Sequence, residues 1–213
     1  MGSRSGFTLI EMAVALVLMS VLGGLFFLTA DSTSNAVNTG VAVAELDGRA
    51  LRVLERMCDG LKASSAGVAT PQAEAPFSNS TLDFRRGLGA DAAGSVVWGP
   101  LERLALEYDE ADDGADDDGD GLVDEGRLVW IEDPGGANER RVVLCQDVRE
   151  YLAGETLDGD DQNQNGLIDE RGFALDFSGN RVTVRLTLEG RDRDGRLLVS
   201  TVQRSVAFRN QGN

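Results

Sequence analysis

The hydrophobic pattern divides the chain into three regimes. Residues 7–30 read FTLIEMAVALVLMSVLGGLFFLTA, with Glu11 the one charge in 24 positions. A helix of that length is about 36 Å long, enough to cross a hydrocarbon core of about 30 Å. From Asp31 the run turns amphipathic: Val37, Val41, Ala44, Gly48, Leu51, Cys58 and Leu61 recur at three, four or seven positions, with Leu54 filling the gap, while Glu45, Asp47, Arg49, Arg52 and Arg56 take the other face. This predicts one helix whose first half suits a membrane and whose second half lies on a folded head, ending in the Ser64-Ser65-Ala66-Gly67 stretch and Pro71. Beyond residue 67 the period shortens to that of strands over 82–86, 96–98, 104–108, 128–131, 142–145, 173–177, 182–188 and 197–208, punctuated by Gly, Asp and Asn. The last two runs flank Gly190-Arg-Asp-Arg-Asp-Gly195 and predict a hairpin. The fold class expected is α+β, a long N-terminal helix on an antiparallel sheet, with residues 31–66 as the amphipathic part and 67–213 as the head.

Charge changes this picture in one respect. The formal net charge is −16, yet residues 109–125 hold ten acids and residues 158–170 five more, with no Lys or Arg among them. The acidity belongs to two loops, 109–127 and 158–172, and not to the fold; no nucleic-acid surface is evident. The absence of histidine removes Ser-His-Asp and Cys-His chemistry and most zinc sites, so no enzymatic role is expected. Cys58 and Cys145 lie 87 positions apart. Cys58 falls on the apolar face of the helix and Cys145 closes a β-branched run, so a disulfide between helix and sheet is expected in an oxidising compartment, with two buried thiols as the alternative.

The two acidic loops follow one template. Asp116-Asp-Asp118-Gly-Asp120-Gly121-Leu122-Val123-Asp124-Glu125 and Asp161-Gln-Asn163-Gln-Asn165-Gly166-Leu167-Ile168-Asp169-Glu170 both place oxygen side chains at the first, third and fifth positions, glycine at the sixth, an aliphatic pair, then Asp-Glu. These are the opening positions of an EF-hand-type calcium loop, in which alternating oxygens converge on one hard cation and the seventh residue offers its carbonyl. The twelfth position, where an EF-hand carries its bidentate Glu, is Arg127 in one loop and Gly172 in the other. The expected Ca2+ ligands are Asp116, Asp118, Asp120, Asp124 and the carbonyl of Leu122, then Asp161, Asn163, Asn165, Asp169 and the carbonyl of Leu167, with Glu125 and Glu170 as substitutes for the missing Glu. Solvated acidic turns are the competing reading, but they give no reason for the Leu-Val and Leu-Ile pairs to recur. Tandem loops of this kind resemble those of dockerins, although dockerin loops lead into helices and these lead into strand-like runs.

An acid inside an apolar segment costs about 2.5–3.5 kcal/mol on insertion scales and so calls for a role. Gly6-Phe7-Thr8-Leu9-Ile10-Glu11 resembles the processing site of type IV prepilins and type II secretion pseudopilins, a short leader ending in Gly before a hydrophobic helix. That resemblance implies a leader of residues 1–6, cut after Gly6 by a membrane-embedded prepilin peptidase, and a methylated amino terminus on Phe7. It also implies that Glu11 pairs with a neighbouring subunit's N-terminal amine, a pairing that offsets two burial costs in low dielectric. Gly23-Gly24 stands where many pilins have a helix-bending proline. The stretch Gly48-Arg-Ala-Leu-Arg-Val-Leu-Glu-Arg56 is similar to minor pilins and pseudopilins of the J or W kind. The partners implied are other pilin or pseudopilin subunits, the peptidase, an inner-membrane assembly platform and, before assembly, membrane lipid. The location implied is a single pass through the inner membrane with the head outside the cytoplasm, then a periplasmic pseudopilus or a surface pilus. A secreted or membrane-anchored calcium-dependent binding module is the alternative.

Overall fold

The computed structural model describes residues 8–209 apart from 109, 111 and 112. Among the described residues one helix, α1 (Leu9–Lys62), is followed by a 3-10 turn (Ala66–Val68) and seven strands: β1 (Thr81–Ala90), β2 (Val96–Tyr108), β3 (Gly126–Glu132), β4 (Arg140–Val148), β5 (Phe173–Ser178), β6 (Arg181–Arg191) and β7 (Leu197–Ala207). The chain divides into two compact units, Met1–Val41 and Ala42–Asn213.

In the first unit the described residues from Leu9 onward are helical and carry a long exposed apolar surface: Leu9, Ile10, Leu16, Met19, Phe26 and Phe27 are all exposed. By length and composition this helix can cross a membrane.

In the second unit the strands form one antiparallel sheet in the order β1-β2-β3-β4-β6-β5, with β7 also paired to β6. The two early strand runs predicted within 96–108 are a single strand. Pro100 is tolerated in it because the β1 register jumps from Arg85↔Leu101 to Gly87↔Trp98 and the β3 pairing starts only at Glu102, so no ladder bond is demanded of its nitrogen. The predicted hairpin is formed by β6 and β7, in register from Arg181↔Ala207 to Arg191↔Leu197.

The helix docks on this sheet through Leu46, Ala50, Val53, Leu54, Met57, Cys58 and Leu61, a set at helical period that packs with Phe84, Leu104, Leu128, Trp130, Phe173, Leu186 and Leu188. Within the second unit the predicted stripe is displaced: Ala44 and Leu51 are exposed, and Leu46, Ala50 and Val53 are buried in their place. Polar tethers explain the rotation. Arg49 Nη2 lies 2.7 Å from Asp147 Oδ2 at the end of β4, and the Ser200 hydroxyl donates to Asp47. Two of the charges assigned to the solvent face, Asp47 and Arg49, thus flank the docking face, while Glu45, Arg52 and Arg56 are exposed.

At the lower end of the interface Trp130 stacks edge-on against Phe84, with ring centroids 5.6 Å apart. Its Nε1 donates to the buried Glu102 carboxylate at 2.8 Å, which also accepts from Arg86 Nε at 2.5 Å. The indole lies where a Cβ on Gly60 would stand, 2.3 Å from the ring carbon Cη2. Gly60→Ala therefore sets a gain of about 1 kcal/mol in helix propensity against an overpacking cost of about 1–3 kcal/mol. Because the ring is held by Glu102 and Phe84, the cost is expected to dominate. A thermal melt should show the variant less stable than wild type, and a raised melting temperature would contradict this packing.

Candidate functional site

Two places carry chemistry. At the start of α1, Thr8 and Glu11 bond reciprocally: Glu11 Oε2 accepts from Thr8 N and Thr8 Oγ1, both at 2.8 Å, and Glu11 N donates to Thr8 Oγ1 at 3.3 Å. This is a capping box, legible in the sequence as Thr-x-x-Glu though not anticipated there. Both Thr8 donors converge on one carboxylate oxygen, so the side chain that caps its own helix keeps acceptor capacity for an outside cation. Gly6 and Phe7, the two positions at the expected cut, lie outside the described residues.

The second place is the pair of acidic loops, which share a frame longer than the template read from sequence. The sequences of residues 110–125 and 155–170 align at a constant offset of 45. The same bonds recur at the same places. Glu110 Oε1 accepts from Asp118 N at 2.9 Å, and Glu155 Oε1 accepts from Asn163 N at 2.9 Å. Asp116 Oδ2 accepts from Gly121 N and Asp161 Oδ2 from Gly166 N. Asp120 Oδ1 and Asn165 Oδ1 cap the amides of Leu122 and Leu167, whose side chains are buried. Left-handed backbone recurs too, at Gly121 and Gly166 (φ 93° and 91°) and at Asp124 and Asp169 (φ 54° and 50°). A side chain at Gly121 is strained by that backbone, and its Cβ, 2.5 Å from Arg191 Nε, would also displace the guanidinium that donates to the Gly121 carbonyl from β6.

Within the first loop, ligand oxygens of Asp116, Asp118 and Asp120 lie within 4.8 Å of one another, and so do those of Glu110, Asp118 and Glu125. Asp118 belongs to both groups. A cavity of about 190 Å³ is lined by Asp118, Asp120, Glu125, Gly126, Gln146 and Asp147. The Glu125 carboxyl is pushed up to about 7, chiefly by burial, with Asp120, Glu110 and Asp118 adding to the rise. In the second loop burial likewise raises Glu170, and Glu155 adds to it. There Asn165 Nδ2 donates to Glu170 Oε1 at 2.6 Å, so an amide group does part of the work of a positive charge.

Two expected ligands have a different job in this arrangement. Asp124 accepts from the Asp113 and Gly114 amides, and Asp169 from the Asp158 and Gly159 amides, which closes each loop at its base. The EF-hand's twelfth position is lost for a clear reason: β3 begins directly after Glu125, and Glu170 leads into an isolated bridge at Arg171 just ahead of β5. Arg127 lies in β3, and Gly172 is pressed against the Arg149 carbonyl, with 1.8 Å between that oxygen and a built Cβ. Glu110 and Glu155 were missed because the template was read forward from its first Asp. Alignment of the two loops backward, through Asp113-Gly114 and Asp158-Gly159, finds them.

The disulfide expected between Cys58 and Cys145 is not formed; both are free and buried. Cys145 lines a cavity with Arg49, Arg52, Val53 and Arg56, whereas the charges that act on Cys58 include Arg204 of β7 and Lys62 at the helix end. The two residues address different turns of the helix. Burial pushes the Cys145 thiol up to about 12 and raises Cys58 as well, so both remain protonated and unreactive near neutral pH.

Residues 1–27 match the family model of the prokaryotic N-terminal methylation motif, the signature of type IV pilins and pseudopilins. That signature implies processing by a prepilin peptidase and assembly with other pilin-type subunits. Comparison with curated proteins gave no match, and comparison with solved structures gave none.

Proposed function

We propose that the chain is a structural subunit, of the minor kind, of a type IV pilus or a type II secretion pseudopilus. It is cut after Gly6, inserted in the inner membrane through residues 7–30 with its head outside the cytoplasm, and packed into the filament by that same helix, with calcium ordering the head. The observation that carries this reading is the methylation motif at the head of an apolar helix whose side chains are exposed. Exposed Leu, Ile, Met and Phe along several turns demand a lipid or a protein partner, and a filament core supplies the second after the bilayer supplies the first. In this account Glu11 pairs with the Phe7 amine of a neighbour, and the capping box with Thr8 holds the carboxylate at the helix start until then. The absence of histidine agrees with a structural and not a catalytic role.

The test is the substitution Gly6→Val. A peptidase site that accepts glycine at the cut has no room for a branched side chain, so the variant should accumulate uncut in the membrane fraction at the precursor's mass. Normal trimming of Gly6→Val, with release from the membrane into filaments, would contradict the assignment.

A further inference from the structure

We infer that the two loops are a duplicated cation site in which a glutamate ahead of each loop, Glu110 or Glu155, and the glutamate that ends it, Glu125 or Glu170, together replace the EF-hand's closing residue. The inference deepens the calcium reading of the head and rests on it. It assigns Glu110 and Glu155, which lie outside the calcium-loop template, and it makes the second loop a site in its own right.

Three buried oxygens carry the argument. Glu125, Glu155 and Glu170 are only 7%, 3% and 0% exposed, and the Oε2 of each is buried without a hydrogen-bond partner. A carboxylate oxygen shut away from water and left unbonded is costly, and a bound cation is what removes that cost. Glu125 and Glu170 hold equivalent places of the repeated frame, and Glu155 matches Glu110, which is half-buried and whose Oε2 accepts from Asp124 N at 3.2 Å. The geometry in the first loop is that of a coordination shell: oxygens of Glu110 and Glu125 meet Asp118 within 4.8 Å, and Asp118 meets Asp116 and Asp120 within the same distance. Calcium ligands at 2.3–2.6 Å from their ion can stand no farther apart than about 5 Å, and an all-oxygen set of this size is the kind a hard divalent cation selects.

The frame also predicts how the sites differ. The first gathers five carboxylates, Glu110, Asp116, Asp118, Asp120 and Glu125. The second keeps Glu155, Asp161 and Glu170 and has Asn163 and Asn165 in the other two places. Ligand charge count tunes calcium affinity, so the first site is the tighter. The Asn165 amide bonded to Glu170 must turn aside when an ion enters, which weakens the second site further.

The experiment is calorimetric titration of the mature full-length chain in detergent with calcium chloride, beside Glu110→Gln, Glu155→Gln and Asp118→Asn. Glutamine keeps a carbonyl oxygen for the Asp118 or Asn163 amide while removing the charge, and in Glu110→Gln only the Asp124 amide, 3.2 Å from Oε2, loses its acceptor, so circular dichroism of each variant should stay native. The wild type should bind two ions with unequal affinity. Glu110→Gln should weaken the tighter site at least tenfold and spare the other, Glu155→Gln should do the reverse, and Asp118→Asn should act only on the tighter one. If the wild type binds calcium and Asp118→Asn weakens it while both glutamine variants bind as wild type does, the loops are sites but the upstream glutamates are not ligands, and the inference falls alone. A wild type that takes up no calcium removes the underlying reading with it. One ion per chain, abolished by Glu110→Gln and untouched by Glu155→Gln, would overturn the duplicated site.

Discussion

Glu11→Gln should be cut and inserted normally yet fail to enter filaments, and Glu11→Ala should fail at least as severely. The comparison matters because glutamine serves in a capping box as glutamate does. Glu11→Gln therefore keeps the bonds to Thr8 N and Thr8 Oγ1 and removes only the charge. Loss of the cap in Glu11→Ala costs about 0.5–2 kcal/mol at one exposed helix end, which does not by itself prevent assembly. Loss of the charge leaves a neighbour's ammonium unpaired in a dry interior, a change of the order of 3–5 kcal/mol for a broken buried pair. The measurement is the fraction of processed subunit recovered in sheared filaments for each variant. If Glu11→Gln assembles at the wild-type level and Glu11→Ala does not, the residue works through its cap and the pairing role is wrong.

Calcium should raise the melting temperature of the mature chain in detergent by several degrees, and chelation should reverse the gain. Ten acids within residues 109–125 repel one another at separations inside the Debye length, and the Glu125 carboxyl is already driven up to about 7 by burial and its neighbours. An ion that binds the folded state at about 100 times its Kd adds about 2.7 kcal/mol per site. For a protein of this size each kcal/mol is worth roughly 2–4 °C, so one filled site gives about 5–10 °C. Asp118→Ala should abolish most of the shift, since Asp118 belongs to both clusters of the first loop. Equal melting in millimolar calcium and in chelator, with magnesium absent, would return the loops to solvated turns.

Much of this architecture was legible because single residues constrain it tightly. The switch from a 3.6-residue period to alternation after residue 67 places the helix and the strands. The repeated Gly-Leu-Val-Asp-Glu and Gly-Leu-Ile-Asp-Glu endings place the loops, because only a fixed backbone turn asks for a glycine and a buried leucine at the same spacing. What the pattern could not supply was long-range pairing. The true docking stripe depends on Arg49 meeting Asp147 and Asp47 meeting Ser200, partners 98 and 153 positions away. The cysteines illustrate the same limit: facing the core from a helix and from a strand is necessary for a bridge, but the turn that each addresses is set by the whole packing of α1 on β4 and β7. Glu110 and Glu155 were legible in principle, since they stand at the same offset as everything else in the frame, and Thr8 was legible as the first residue of a capping box.

The claim on which the rest depends is that the chain is processed as a prepilin, and the mass of its amino-terminal peptide tests that directly. Protein taken from native membranes and digested should yield a peptide beginning at Phe7 that carries one added methyl group on its amine. A peptide beginning at Met1, or one beginning at Asp31 after removal of the whole apolar segment, would contradict the account.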